Sequence, residues 1–218
     1  MKNKSDLKVS IVGLGTIGKV LAQNLVNNGR EVIVSDRDLN KSKGFAKELG
    51  NLAKPLSIEE AIQNSDIIIP AIWFSAFSDF FEQNADSLKG KIIVDPSNPI
   101  APNDKGGFDK IIPENESAGV INANALPSGA RLVKALGTLG AASLEHKANS
   151  TPDKQVLFYA LDDEKIKREI EMLIEDTGFS PVGVGNISQS IRIEVFGDLH
   201  EFGPLGKTVD TEEALSLV

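Results

Sequence analysis

The chain has 218 residues, of which 41% are hydrophobic and 25% charged, the balance of an ordinary globular protein. Its 23 basic and 31 acidic residues leave a net charge of −8, which argues against nucleic acid or an anionic membrane as partner. There is no cysteine, so disulfides, thiolate metal sites and cysteine nucleophiles are excluded, and two histidines far apart argue against a histidine-rich metal site.

No apolar run of about 18 residues occurs, so no bilayer span is expected. The opening MKNKSDLKVSIVG has a basic start, but Asp6 and Lys8 break the apolar run and no small-residue cleavage site follows. The expected compartment is the cytoplasm.

In chain order, 7–12 is a short β-branched run suited to a strand. Ile17, Val20, Leu21 and Leu25 then recur at helical spacing, and Asn27-Asn28-Gly29 stops that helix. Residues 31–35 form a second strand, ending at Asp36. Residues 40–50 read as a helix, and Ser57 with Glu60 has capping-box spacing for a short one. The run 66–72 reads as a strand buried on both faces, with Pro70 marking its carboxyl end. A helix over 75–88 and a strand over 91–95 follow, closed by Pro96-Ser97-Asn98-Pro99. Residues 101–116 read as a long loop. Beyond it come a helix (117–125), strands at 130–136 and 156–161, and an amphipathic helix over 162–177. A strand at 181–184 and a helix over 188–202 follow. The tail 203–218 is expected to be disordered or to cross to a second subunit. This alternation predicts an α/β, Rossmann-type doubly wound, mostly parallel sheet with a small C-terminal α/β extension. Residues 7–202 form one domain in this reading, with core 7–100 and extension 117–202.

Gly13, Gly15 and Gly18 form G-x-G-x-x-G between the first strand and the first helix. The first glycine permits the tight turn, the second lets backbone approach a pyrophosphate, and the third lets helix and strand pack closely. The helix amino terminus offers free N–H groups and the positive end of its dipole to the phosphates. Asp36 lies eighteen residues beyond Gly18, where a carboxylate accepts from an adenine ribose. Context and spacing together predict dinucleotide binding. Asp36 favours NAD, whereas Arg37 and Lys41 can pair with the 2′-phosphate of NADP; spacing alone favours NAD.

A short-chain dehydrogenase needs Tyr-x-x-x-Lys, but the sole tyrosine, Tyr159, has Asp163 at that offset. The chain also lacks room for a separate helical substrate domain. No general acid or base emerges, which suits hydride exchange between two redox cofactors.

The segments VSIVGLGTIGKVLAQNLVNNGREVIVSDR, IIIPAIWFSAFSD, KIIVDPSNPI, LPSGARLVKALGTLGA and IEDTGFSPVGVGNISQSIRIE resemble the deazaflavin (coenzyme F-420)-dependent NADP oxidoreductases over roughly residues 8 to 196. The same module is found in the reductase domain of membrane ferric reductases. The resemblance implies a pyrophosphate loop at Leu14, Gly15, Thr16 and Ile17, with ribose and 2′-phosphate contacts at Asp36, Arg37 and Lys41. It implies a cofactor-facing strand end at Ala71, Ile72 and Trp73. It implies a nicotinamide side formed by Asn98, Pro99 and Ala135, Leu136, Gly137 and Thr138. Three positions depart from the pattern: Asp36 where relatives often have Ser or Asn, Ile72 where proline is frequent, and Gly137 where many have Asn.

Trp73 and Phe74 directly follow a strand and are expected to form a lip against a flat ring, while Phe77, Phe80 and Phe81 at helical spacing are expected in the core. His146 is expected at the surface, and so is His200, with a subunit contact or the neighbourhood of the acceptor pocket as its alternative. The function expected is hydride transfer between NADP(H) or NAD(H) and a second redox ring, such as coenzyme F-420 or a flavin. The alternatives are reduction of a small imine or carbonyl, and a redox sensor that binds NAD(P) without turnover. A small-molecule acceptor and a homodimer are the expected partners.

Overall fold

The computed structural model describes residues 7–218. The reading of the amino terminus as leaderless rests partly on residues 1–6, which lie outside them.

Strand β1 (Val9–Val12) is buried along its length and leads into helix α1 (Thr16–Asn27). Strand β2 (Val32–Ser35), helix α2 (Leu39–Leu49) and a short strand β3 (Ala53–Pro55) follow. Helix α3 (Ile58–Gln63) begins at Ser57, whose hydroxyl accepts from the Glu60 N–H while the Glu60 carboxylate accepts from the Ser57 N–H. Strand β4 (Ile67–Pro70) ends at its proline, as expected where a ladder donor is missing. A 3₁₀ turn (Phe74–Ala76) opens helix α4 (Phe77–Asn84), and strand β5 (Ile92–Asp95) follows. Strands β6 (Ile100–Pro102) and β7 (Phe108–Lys110) come next, then helix α5 (Ala118–Ala125) and strand β8 (Arg131–Ala135). Helix α6 (Ala141–His146), strand β9 (Val156–Leu161), helix α7 (Lys167–Asp176), strand β10 (Ser180–Gly183) and helix α8 (Thr211–Leu215) complete the order.

Eight strands make one sheet in the order β10-β9-β8-β5-β4-β1-β2-β3. Every pairing in it is parallel except β8 with β9, so the mostly parallel Rossmann-type expectation holds. The chain leaves β1 in one direction to β2 and β3, then returns to β4 on the other side. That reversal opens a crevice at the carboxyl ends of β1 and β4, the usual ligand position in such sheets. One face of the sheet packs under α1, α6 and α7 through Leu21, Leu25, Leu144 and Ile170, and Arg30 of the first turn beyond α1 pairs with Asp176 at 2.6 Å. The other face carries Phe77, Phe80 and Phe81 of α4, buried as expected.

Several elements differ from the sequence reading. The segment expected as the loop 101–116 contains most of the antiparallel hairpin β6–β7, whose three-residue strands are too short to show strand periodicity. Strand β3, only three residues long, was invisible for the same reason. Residues 141–146, between the strands expected at 130–136 and 156–161, form a helix that was not expected. The expected helix over 188–202 is a 3₁₀ segment (Ile187–Ile193) followed by turns. The carboxyl-terminal tail is folded: Val209 and Ala214 are buried in a cluster with Val156, Phe158 and Val182, and the Val156 N–H donates to the Val209 carbonyl. His200 is 1% exposed, not a surface residue, because the turns after Ile193 fold back over the end of β8.

Candidate functional site

The glycine-rich turn sits at the carboxyl end of β1, against the carboxyl end of β4. Gly13 has φ +100°, and a Cβ there would lie 2.6 Å from the Ala71 carbonyl oxygen. A Cβ on Gly18 would overlap the Gly13 carbonyl and sit 3.1 Å from the Ala71 Cβ. These two glycines allow α1 to close on the sheet. Gly15 differs: a Cβ there meets nothing within 4 Å, so the space beside it is open. Gly15 is also the N-cap of α1, with no side-chain cap and no acidic residue in the first turn. The exposed Thr16 and half-buried Ile17 continue that turn. Uncapped N–H groups, a positive helix end and open space beside a glycine fit the pyrophosphate of a dinucleotide.

Asp36 follows β2 and lies next to this loop. Its Oδ2 accepts the Leu14 N–H at 2.9 Å and the Lys41 ammonium at 2.8 Å; its Oδ1 accepts the Asp38 N–H at 3.2 Å. Burial raises the Asp36 carboxyl, but the bonds from Lys41, Leu14 and Asp38 outweigh it and hold the pKa below the ordinary value. Arg37 is exposed and makes no ion pair or hydrogen bond among the described residues. The Leu14 N–H therefore holds Asp36 in place, while its side chain fills the core.

The other expected positions line up along the same edge. Half-buried Ala71, Ile72 and Phe74 and the 55% exposed Trp73 follow β4. Trp73 stands 6.4 Å from Phe108 of the β6–β7 hairpin, ring centre to ring centre, at 40°. Both rings are exposed, so together they form an apolar lip; the hairpin's part in it was not foreseen. Asn98 and Pro99 follow β5, and Ala135 to Thr138 run off the end of β8 beside them. The Asn98 side chain bridges these segments: its amide donates to the Gly137 carbonyl at 3.0 Å, and its oxygen accepts the Val195 N–H at 2.7 Å. A Cβ on Gly137 would overlap the Pro96 carbonyl, so only glycine permits this approach. Leu136, fully buried, has φ +66°, a left-handed conformation that costs a non-glycine residue about 1–3 kcal/mol.

Behind this shelf lies a buried polar cluster. Register pairs Asp95 with Lys134, and the Lys134 ammonium reaches Asp95 Oδ2 at 3.0 Å and also the Ser97 carbonyl. Asn122 donates to the same Asp95 oxygen at 2.9 Å. Glu194 accepts the Ala118 and Gly119 N–H groups at 2.9 and 2.8 Å, capping α5 from a distant part of the chain. Burial raises its carboxyl, only partly countered by Lys134 and these two donors. His200 Nε2 donates to the Gly137 carbonyl at 3.1 Å, while Nδ1 accepts the Phe202 N–H at 3.0 Å, which fixes the neutral tautomer. Burial lowers the His200 pKa to about 4, with the Gly137 carbonyl opposing and Lys134 adding to the shift. Of these four, Asp95, Lys134 and Glu194 carry no such reading in the sequence, and His200 lies beside the shelf rather than at the surface. Lys134, in the otherwise apolar run Leu132 to Leu136, was the one legible signal.

Residues 8–99 match the family described as NADP oxidoreductase, coenzyme F420-dependent. The metalloreductase STEAP3 of Rattus norvegicus is 27% identical over 191 residues, covering 88% of this chain and 36% of that protein. The F420-dependent NADP reductase of Methanocaldococcus jannaschii is 26% identical over 207 residues, covering 88% of this chain and 90% of that protein. In fold, the chain superposes on the hypothetical protein SMa0349 from Sinorhizobium meliloti with a TM-score of 0.81 and 24% identity, over 95% of this chain and 97% of that one. The glycine-rich turn and the crevice thus lie in the part of the chain similar to coenzyme F420-dependent NADP oxidoreductases, and the chain resembles two reductases over most of its own length.

Proposed function

We propose that the protein transfers hydride between a nicotinamide dinucleotide and a second planar redox ring, a deazaflavin or flavin. One observation carries this reading. The titratable groups behind the shelf, Asp95, Lys134, Glu194 and His200, are at most 2% exposed and bound to protein partners. Such groups hold backbone in place and are shielded from a substrate's protons. The nicotinamide ring, once bound, supplies the hydride chemistry.

The chain's own part is placement. The α1 terminus and Gly15 hold the pyrophosphate, and Asp36, Arg37 and Lys41 meet the adenine ribose. Asn98 and His200 fix the Gly137 carbonyl, and with it the shelf from Ala135 to Thr138. Trp73, Phe74 and Phe108 cover the open side, where flat apolar rings favour a flat acceptor and exclude water. Rate then comes from proximity and orientation. The reading includes a homodimer in the cytoplasm; light scattering is expected to give twice the chain mass, and the mass of a single chain would contradict the dimer.

Anaerobic stopped-flow mixing tests the acceptor. Bound reduced nicotinamide is expected to lose its absorbance when coenzyme F-420 or a flavin is added. Reduction of small imines or carbonyls with neither ring reduced would overturn the proposal, as would no oxidation by any acceptor.

A further inference from the structure

The Asp36 carboxylate is the fixed charge at the place where the adenine ribose of a dinucleotide lies once its pyrophosphate occupies the α1 terminus. The two substrates differ there by one group: NADH presents a 2′-hydroxyl, NADPH a 2′-phosphate with close to two negative charges. The structure shows what each would meet.

Oδ2 of Asp36 is occupied by the Leu14 N–H and the Lys41 ammonium. Oδ1 carries one bond, from the Asp38 N–H at 3.2 Å, and an ionised carboxylate oxygen has room for a further donor. A hydroxyl can give that bond and disturb nothing. A phosphate has no suitable proton, and it must approach the same carboxylate. Lys41 does not remove the conflict, since its charge is already spent on Asp36 at 2.8 Å. Drawing it toward a phosphate leaves Asp36 less compensated. Arg37 is the remaining cation free to respond; it is exposed, where solvent and salt weaken its pull. A phosphate thus gains one screened cation and one near anion. A hydroxyl gains a hydrogen bond to a charged acceptor, worth about ten- to a hundredfold in affinity.

We infer that Asp36 sets the nucleotide preference of this protein toward NADH and against NADPH, unlike the NADP usage in the names of the family it matches and of the methanogen reductase. The inference rests on the proposed function only in taking a nicotinamide dinucleotide as substrate.

The test is equilibrium binding without any acceptor, read through fluorescence of Trp73, the chain's sole tryptophan, at the lip of the crevice. NADH is expected to bind at least about tenfold more tightly than NADPH. Asp36→Asn keeps an oxygen for the Leu14 N–H and removes the charge; it is expected to narrow that ratio about fivefold or more, mainly by tightening NADPH. If Asp36→Asn does not fold, Asp36→Ser is read in the same way. NADPH binding as tightly as NADH to the unaltered protein overturns the inference, and so does a ratio that the substitution leaves where it was. Failure of both nucleotides to bind overturns the proposed function as well. NADH binding with no acceptor reduced overturns the acceptor reading and upholds this one.

Discussion

Gly15 and Gly18 stand three residues apart in one motif and answer to different forces. A methyl at Gly18 drives into the Gly13 carbonyl, whereas a methyl at Gly15 meets open space. Gly18→Ala is therefore expected to destabilise the fold by about 1–3 kcal/mol or more, seen as a lower melting temperature. Gly15→Ala is expected to melt within a few degrees of the unaltered protein and yet to lose nucleotide affinity about tenfold or more, since the methyl occupies the approach of the pyrophosphate. His200 gives a second residue-level expectation. Its folded pKa is depressed from 6.5 to about 4, so its contribution to stability is present above pH 6.5 and is lost as pH falls toward 4. The loss amounts to about 3 kcal/mol. Glutamine at position 200 can donate to the Gly137 carbonyl but does not titrate. His200→Gln is thus expected to show a shallower fall of melting temperature between pH 7 and pH 4 than the unaltered protein; parallel curves would contradict this.

At the scale of elements, long apolar strands and glycine punctuation were legible, while pieces defined by distant partners were not. Strands β1, β4 and β5 announce themselves because burial on both faces demands continuous apolar runs. Helix α3 was legible from Ser57 and Glu60 because a capping box is local. The hairpin β6–β7 and the turns after Ile193 have no such local code. The turns take their place from Asn98 holding the Val195 N–H, Glu194 capping α5 and His200 seated under Gly137, and the hairpin is defined only by its own three-residue pairing. For the same reason the expected site positions, which follow the legible strands β1, β2, β4, β5 and β8, could be proposed from the sequence, yet the polar cluster that holds the shelf could not. The folded tail yields its own prediction. Deleting residues 208–218 removes Val209 and Ala214 from a cluster with Val156, Phe158 and Val182, and leaves the Val156 N–H without its acceptor. The deletion is expected to cost about 2–5 kcal/mol, measured by urea denaturation.

For the whole molecule, the continuous sheet bears on whether residues 7–202 act as one unit. Strands β8 and β5 pair over four residues, so the carboxyl-terminal extension shares ladder bonds and core with the amino-terminal half. A single calorimetric transition is expected, with van't Hoff and calorimetric enthalpies in agreement. Two separated transitions would divide the chain into independent units. Among the described residues no helix is long and apolar enough to cross a membrane. The charge of −8 acquires a local meaning in this frame. Under the proposed function a polyanionic nucleotide would be drawn in against the net field, and the uncapped end of α1 together with Arg37 would supply the attraction at short range.

The contact between Gly137 and the Pro96 carbonyl also constrains what this sequence can tolerate. A side chain there cannot coexist with the present backbone, because its first carbon would overlap Pro96. Asparagine placed alone at position 137 would break the shelf; it fits only with changes that move the turn after β5. A single missing side chain thus locks the end of β8 to that of β5, so that neither can be redesigned without the other.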